Sequence, residues 1–141
     1  MEAIPGERLR PGTELPTVER AVTRAQVEAY AEATGDDNPL HLDDDFARAA
    51  GLPGAICHGM LEMAMVAEAV ISWTGPDMRP LELSCRFSRP LLVGDSLRCG
   101  ARIESVDSDA ATLTLDLTAT SGSGERVLSR ARAVVATRTA A

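Results

Sequence analysis

Asp36 and His41 stand five positions apart in the stretch G-D-D-N-P-L-H-L-D of residues 35–43. A carboxylate and an imidazole on one short segment can divide acid/base work, because imidazole takes up and releases protons near neutrality. Asn38-Pro39 lies between them. A residue before proline is pushed to extended geometry, so Asp36–His41 is expected as a loop or tight turn, not a helix. Downstream, the loop Gly51–Gly54 leads into Cys57-His58-Gly59-Met60 and a long apolar run. A glycine opening an apolar helix leaves backbone N–H groups free to face a developing negative charge. The two halves are expected to form one site, with Asp36 and His41 moving protons and the Gly59 N–H holding an oxyanion.

Each residue also has a plain structural reading. Asp36 alone is a turn residue or cap, and His41 alone a satisfied structural histidine; the joint pattern is what raises both. His58, just ahead of the helix, is read as structural and bonded to backbone. Trp73 and Phe87 are read as core. Met60, Met63 and Met65 are core or pocket lining, and the sequence does not separate the two. Asp43, Asp44 and Asp45 cap a short helix about Asp44–Ala50; the later glycine and glutamate of a calcium loop are missing. Cys57, Cys85 and Cys99 lack C-x-x-C spacing, which leaves no disulfide framework or zinc site and makes them small buried hydrophobes.

Composition narrows the classes further. The chain has 141 residues, 45% of them hydrophobic, enough for one domain with a real core. The net charge of −7 argues against non-specific nucleic-acid binding. Every basic residue is Arg, so lysine chemistry is unavailable. Residues 1–10 are polar and broken by Pro5 and Gly6, which does not read as a secretory leader. The run Met60–Trp73 carries Glu62 and Glu68 and is too short to span a bilayer. A reduced, cytoplasmic protein is expected.

The elements that must position the site follow from periodicity. Residues 1–12 read as an entry arm, and Glu14–Val22 as a short strand interrupted by Pro16. Thr23-Arg24-Ala25-Gln26 has the capping-box pattern. It opens a helix about Arg24–Thr34 that Gly35 ends. Gly59–Trp73 is apolar on nearly every face, which predicts a buried helix ended by Gly75-Pro76. From Leu81 the period changes to two. Leu81, Leu83, Cys85 and Phe87 form one face; Leu97, Cys99, Ala101 and Ile103 the next. Ala111, Leu113, Leu115, Leu117 and Ala119 follow, then Val127, Ser129, Ala131, Ala133 and Val135. Turns at Asp107–Asp109 and Ser121–Gly124 suggest four consecutive strands in an antiparallel meander. A sheet wrapped around one buried helix makes a single α+β domain over 1–141, with its core about 14–136.

G-D-D-N-P-L-H-L-D at 35–43 and A-I-C-H-G-M at 55–60 resemble the MaoC-like, R-specific enoyl-thioester hydratases and dehydratases of the hot-dog fold. R-P-L-L-V-G-D at 89–95 is similar to the entry to that family's third strand. Length and block spacing are most similar to the catalytic B subunit of a heterodimeric (3R)-hydroxyacyl-ACP dehydratase. The resemblance implies Asp36 and His41 as the catalytic pair and the Gly59 N–H as thioester-oxygen donor. It implies Asn38 and Pro39 as the residues that shape the turn. It implies no metal or redox cofactor. Its implied substrate is an acyl thioester of CoA or acyl-carrier protein. It implies a homodimer or a heterodimer with a second hot-dog subunit. In some short-chain members a serine stands where Ala67 aligns, so any bond it makes is absent here. Two alternatives stay open. A hot-dog thioesterase would use a carboxylate near the central helix, Glu62 or Glu68, and a non-catalytic partner subunit would leave the pair idle. Chain length, carrier, pathway and direction are not legible.

Overall fold

The computed structural model describes residues 9–137; the first eight residues of the expected entry arm lie outside the described residues. Strand β1 (Glu14–Ala21) is followed by helices α1 (Arg24–Thr34), α2 (Pro39–Leu42), α3 (Asp44–Ala49) and α4 (Gly59–Thr74). Strands β2 (Arg79–Phe87), β3 (Ser96–Asp107), β4 (Thr112–Ser121) and β5 (Arg126–Ala136) complete the chain. All five strands form one antiparallel sheet in the order β1-β3-β4-β5-β2. This is the α+β sheet-and-helix architecture expected of a hot-dog domain.

The order corrects one expectation. β3, β4 and β5 do form a meander, but β2 pairs with β5 at the far edge, not with β3. The 88–95 connection therefore crosses from one edge region to the other instead of turning a hairpin. It is held by Ile56↔Leu92 bridging, by Cys57 N–H donating to Leu91 O (2.7 Å) and by Val93 N–H donating to Ala55 O (2.9 Å).

Alternation along β3 and β4 puts Leu97, Cys99, Ala101, Ile103, Leu113, Leu115, Leu117 and Ala119 in the core. Each large apolar side chain so buried contributes ~1.5–3 kcal/mol. Ala111 falls in the β3–β4 turn at φ 54, not in the strand. In β5 the expected inner face breaks: Leu128, not Ser129, is buried. Between Leu117↔Ala131 and Ala119↔Leu128 the fifth strand holds one extra residue, and Arg130 sits at φ 49. Such a bulge reverses which residues face inward and bends the strand around α4.

Helix α4 buries Met65, Val66, Ala69, Val70 and Trp73 against the sheet. The Trp73 indole N–H donates to Pro16 O (2.7 Å), in the irregular Leu15/Val18 step of β1. The helix is not buried all round, however. Met60 and Ile71 are exposed on its other face, as are Leu81 and Phe87 on edge strand β2. Among the described residues no helix is long and apolar enough to cross a membrane.

Candidate active site

Helix α1 delivers the chain to the site. Thr23 and Gln26 complete a reciprocal capping box, and Gly35 closes the helix in the left-handed region at φ 77. Asp36 comes next. Asn38 adopts the extended geometry that precedes proline, and its Oδ1 accepts from Leu40 N–H (3.0 Å). Pro39 then starts a one-turn helix, Pro39–Leu42, in place of the expected loop. Proline needs no N–H partner at a first helical position and its ring presets the helical φ, so the same residue that ends one segment opens the next. His41 projects from this turn.

The segment Ala55–His58 anchors the neighbourhood. Asp44 Oδ1 accepts from Ala55 N–H (2.9 Å), while its other oxygen pairs with Arg24 (2.8 Å). The Ala55 N–H, aided by Arg24 and Arg48, holds the Asp44 carboxyl below its ordinary range. Ile56 N–H donates to Leu40 O (3.0 Å). In return, His41 Nδ1 lies 2.8 Å from Ile56 O. A carbonyl only accepts, so Nδ1 carries the hydrogen and Nε2 is left with its lone pair.

His58 is fully buried and joins the two halves. Its Nε2 donates to Asp36 O (2.9 Å), its ring stacks on His41 at 3.9 Å and 26°, and Tyr30 tilts against it at 4.7 Å. The expected backbone bond is thus present, but it lands on Asp36 itself. His58 Nδ1 is buried with no hydrogen-bond partner. One donor atom each from Asp36, His41 and His58 lie within 4.8 Å of one another. Rings stacked this closely keep their lone pairs in two nearly parallel planes, whereas chelation needs them to converge on one ion. The cluster suits proton movement better than metal binding.

Beside His41 lies a cavity of about 380 Å³, lined by His41, Ile56, Cys57, Gly59, Glu62 and residues 87–90. Gly59 is the first residue of α4, and among the described residues no acceptor takes its N–H. The positive end of the helix dipole therefore faces the cavity. A Cβ at Gly59 would sit 2.9 Å from two ring carbons of Phe87, so a larger residue there must displace that ring. His41 and Gly59 share the cavity; Asp36 is exposed beside it and does not line it.

Three features escape a reading of the sequence. Phe87, expected in the core, is 52% exposed and forms cavity wall. Arg89, on the rim, is paired with Glu125 (3.5 Å). Glu62 is buried and lines the cavity, with its carboxyl pushed up to about 8 by desolvation. Its spacing of three from Gly59 is the available signal, since one helical turn places both on one face. None of Met60, Met63 and Met65 lines the cavity. Cys57 does, but burial and the nearby Glu62 raise its thiol to about 12, far from a nucleophilic thiolate.

The chain is similar in sequence and in fold to several known proteins. The mitochondrial 3-hydroxyacyl-[acyl-carrier-protein] dehydratase of Arabidopsis thaliana is 36% identical over 78 residues, 55% of this chain and 46% of that protein. The (R)-specific enoyl-CoA hydratase of Aeromonas caviae is 32% identical over 93 residues, 64% of this chain and 69% of that protein. A solved structure of an (R)-hydratase from A. caviae, described as involved in PHA biosynthesis, shares 26% identity at a TM-score of 0.83. That comparison covers 90% of this chain and 96% of that one. The HadBC (3R-hydroxyacyl-ACP dehydratase) complex from Mycobacterium tuberculosis, with 20% identity and a TM-score of 0.68, covers 89% and 95% and shows the fold alone. The chain spans less than half the length of the first curated relatives it matches. The MaoC like domain matches residues 7–123. On that span, and on a fold that keeps the D-x-N-P-L-H turn beside the H-G-M helix start, this chain belongs to the MaoC-like domain family.

Proposed function

We propose that this domain interconverts a trans-2-enoyl thioester and its (3R)-hydroxyacyl thioester by adding or removing water. The observation that supports it most directly is the pairing, across one cavity, of an imidazole with a free Nε2 and an unengaged helix-start N–H. In dehydration, His41 Nε2 takes the Cα proton. The electron pair moves toward the thioester oxygen, which the Gly59 N–H stabilises; donors so placed are worth ~3–4 kcal/mol. Asp36 gives a proton to the departing Cβ hydroxyl, and water and the enoyl thioester result. Hydration is the reverse: Asp36 takes a proton from the water attacking Cβ, and His41 returns one to Cα. The names of the relatives support the R configuration and a CoA or acyl-carrier-protein carrier.

The thioesterase alternative fits less well. Glu68 is paired with Arg20 at the surface (2.7 Å), and Glu62 is held protonated by burial, which blunts it as nucleophile or base.

The working unit in this reading is a dimer, with itself or with a related subunit. Its support is the exposed apolar flank of Met60, Ile71, Leu81 and Phe87. Three free cysteines accord with a cytoplasmic setting.

The test is loss or gain of enone absorbance over crotonyl- to dodecenoyl-thioesters, supplied with plausible partner subunits. Protein that hydrates none of them yet hydrolyses acyl-CoA would establish the thioesterase instead.

A further inference from the structure

One polar group inside the cavity has no part in that reaction. Glu62 is only 3% exposed, yet it lines the same cavity as His41 and Gly59. Among the described residues nothing hydrogen-bonds or ion-pairs its carboxyl, and its oxygens are not sealed from the cavity. His41 and Ser88 share the cavity lining with it, and the two thiols beside it are poor partners. Cys57 on the anchoring segment and Cys85 on β2 feel its charge, and both thiols are weak donors kept protonated by burial. Arg89, the cation on the cavity lining, points its guanidinium at Glu125.

Such a carboxyl takes its hydrogen bonds from cavity water, and losing that water without a replacement is costly. The alkyl chain of an unsubstituted fatty acyl group would impose that cost, because it would strip the cavity water and offer no hydrogen bond. A chain bearing an oxygen would relieve it. A protonated carboxyl both donates and accepts, so it matches a hydroxyl or a carbonyl equally.

The helix sets the position along the chain. Glu62 follows Gly59 by three residues, so both lie on one face of α4, and its side chain leans back toward the helix start. With the thioester oxygen at the Gly59 N–H, an acyl chain laid along that face of the cavity brings carbons beyond the reacting Cα–Cβ bond to the Glu62 carboxyl.

We infer that Glu62 forms an acyl-chain subsite that selects thioesters carrying a hydroxyl or keto oxygen a few carbons beyond the double bond, over plain alkyl chains of the same length. The inference rests on the thioester reading of the cavity, and it makes Glu62 a specificity residue, not a participant in proton transfer. The class of reaction that supplies such a substrate leaves oxygen on the growing chain, as incomplete reduction between condensations does.

The test separates binding from turnover. Saturated pantetheine thioesters are titrated calorimetrically as a pair, hexanoyl against 5-oxohexanoyl, into wild type, Glu62→Gln and Glu62→Met. Methionine keeps the volume and removes the hydrogen bond, and Glu62→Leu stands in if it does not fold. The expected result is tighter binding of the keto chain by about tenfold to a hundredfold in wild type and Glu62→Gln. Glu62→Met is expected to lose that preference. Equal binding of the two chains by wild type, or an unchanged ratio in a folded Glu62→Met, would overturn the inference. Hydration of the matching 2-enoyl thioesters is measured separately. Its absence would count against the proposed reaction, whereas the binding ratio alone decides the role of Glu62.

Discussion

Replacing Glu62 by Gln should change how stability depends on pH, whatever the substrate is. The carboxyl is buried on α4 and pushed from its ordinary 4.5 to about 8 by desolvation. Below about pH 4.5 it is protonated in both the folded and the unfolded chain, and it adds no pH dependence. Between 4.5 and 8 the unfolded chain releases the proton while the folded chain keeps it, so stability falls as pH rises. Above about 8 both states are ionised and the penalty is complete. At ~1.4 kcal/mol for each tenfold step in proton affinity, the full penalty is at most ~5 kcal/mol. Solvent reaching the carboxyl through the cavity mouth screens it, which brings the expected penalty to roughly 2–4 kcal/mol. The groups that face it from other elements are Cys57, Cys85 and His41. The two thiols stay neutral in this window. Urea melts of wild type and Glu62→Gln at pH 5, 6.5 and 8.5 provide the assay. Glu62→Gln should gain on wild type by roughly 2–4 kcal/mol between the first and last pH. Parallel curves, with a constant offset across the range, would refute the claim that this carboxyl is buried and neutral.

Four further outcomes are expected. His41→Ala and Asp36→Asn should each lower hydratase turnover by roughly 10²–10⁴ while the circular dichroism spectrum is retained; near-normal turnover in a folded His41→Ala protein would refute the proposed mechanism. His58→Ala removes the bond to Asp36 O and the stack beneath His41, and should cost roughly 2–4 kcal/mol in a denaturant melt, more than it costs turnover. Gly59→Ala places a methyl 2.9 Å from the Phe87 ring; the exposed ring swings aside, so stability changes by less than about 1 kcal/mol, but the cavity wall moves and turnover drops. Adding Phe87→Ala to Gly59→Ala should restore part of that turnover, as a kinetic double-mutant cycle would show. Light scattering should find a dimer, of this chain alone or with a second hot-dog subunit; a fully active monomer would exclude it.

Much of this architecture is legible in the sequence because local signals agree with one another. Helix α1 is readable to the residue, since a capping box opens it and a left-handed glycine closes it. The inward faces of β3 and β4 follow from strict alternation. The misreadings have specific causes. Pro39 reads as a breaker, yet its place at a first helical position makes it an initiator. Alternation places Ser129 inside because it carries no sign of the extra residue at the Arg130 bulge. Neighbouring strands commonly pair, which sets β2 beside β3, but strand order is decided by contacts far apart in sequence. In the site, the D-x-N-P-L-H turn and the H-G-M helix start are visible as motifs. Nothing local announces that Phe87 closes over Gly59, because that depends on which elements meet across the fold; for Glu62 the spacing of three from Gly59 is the one local signal.

The strand order also has a consequence for how the domain assembles. β3, β4 and β5 are joined by tight turns, so their contacts close short loops at little entropic cost. The first strand must instead find its partner across the whole helical half of the chain, as in Glu14↔Arg102. Contacts so distant in sequence form slowly, which sets the three-strand meander as the early scaffold and the docking of β1 and the helices as the later event. The His41 turn and the Gly59 helix start both belong to that later half. Native-state hydrogen exchange should therefore find the slowest amides in β3 to β5. The residues that would do the chemistry ride on the portion of the chain that opens first and closes last.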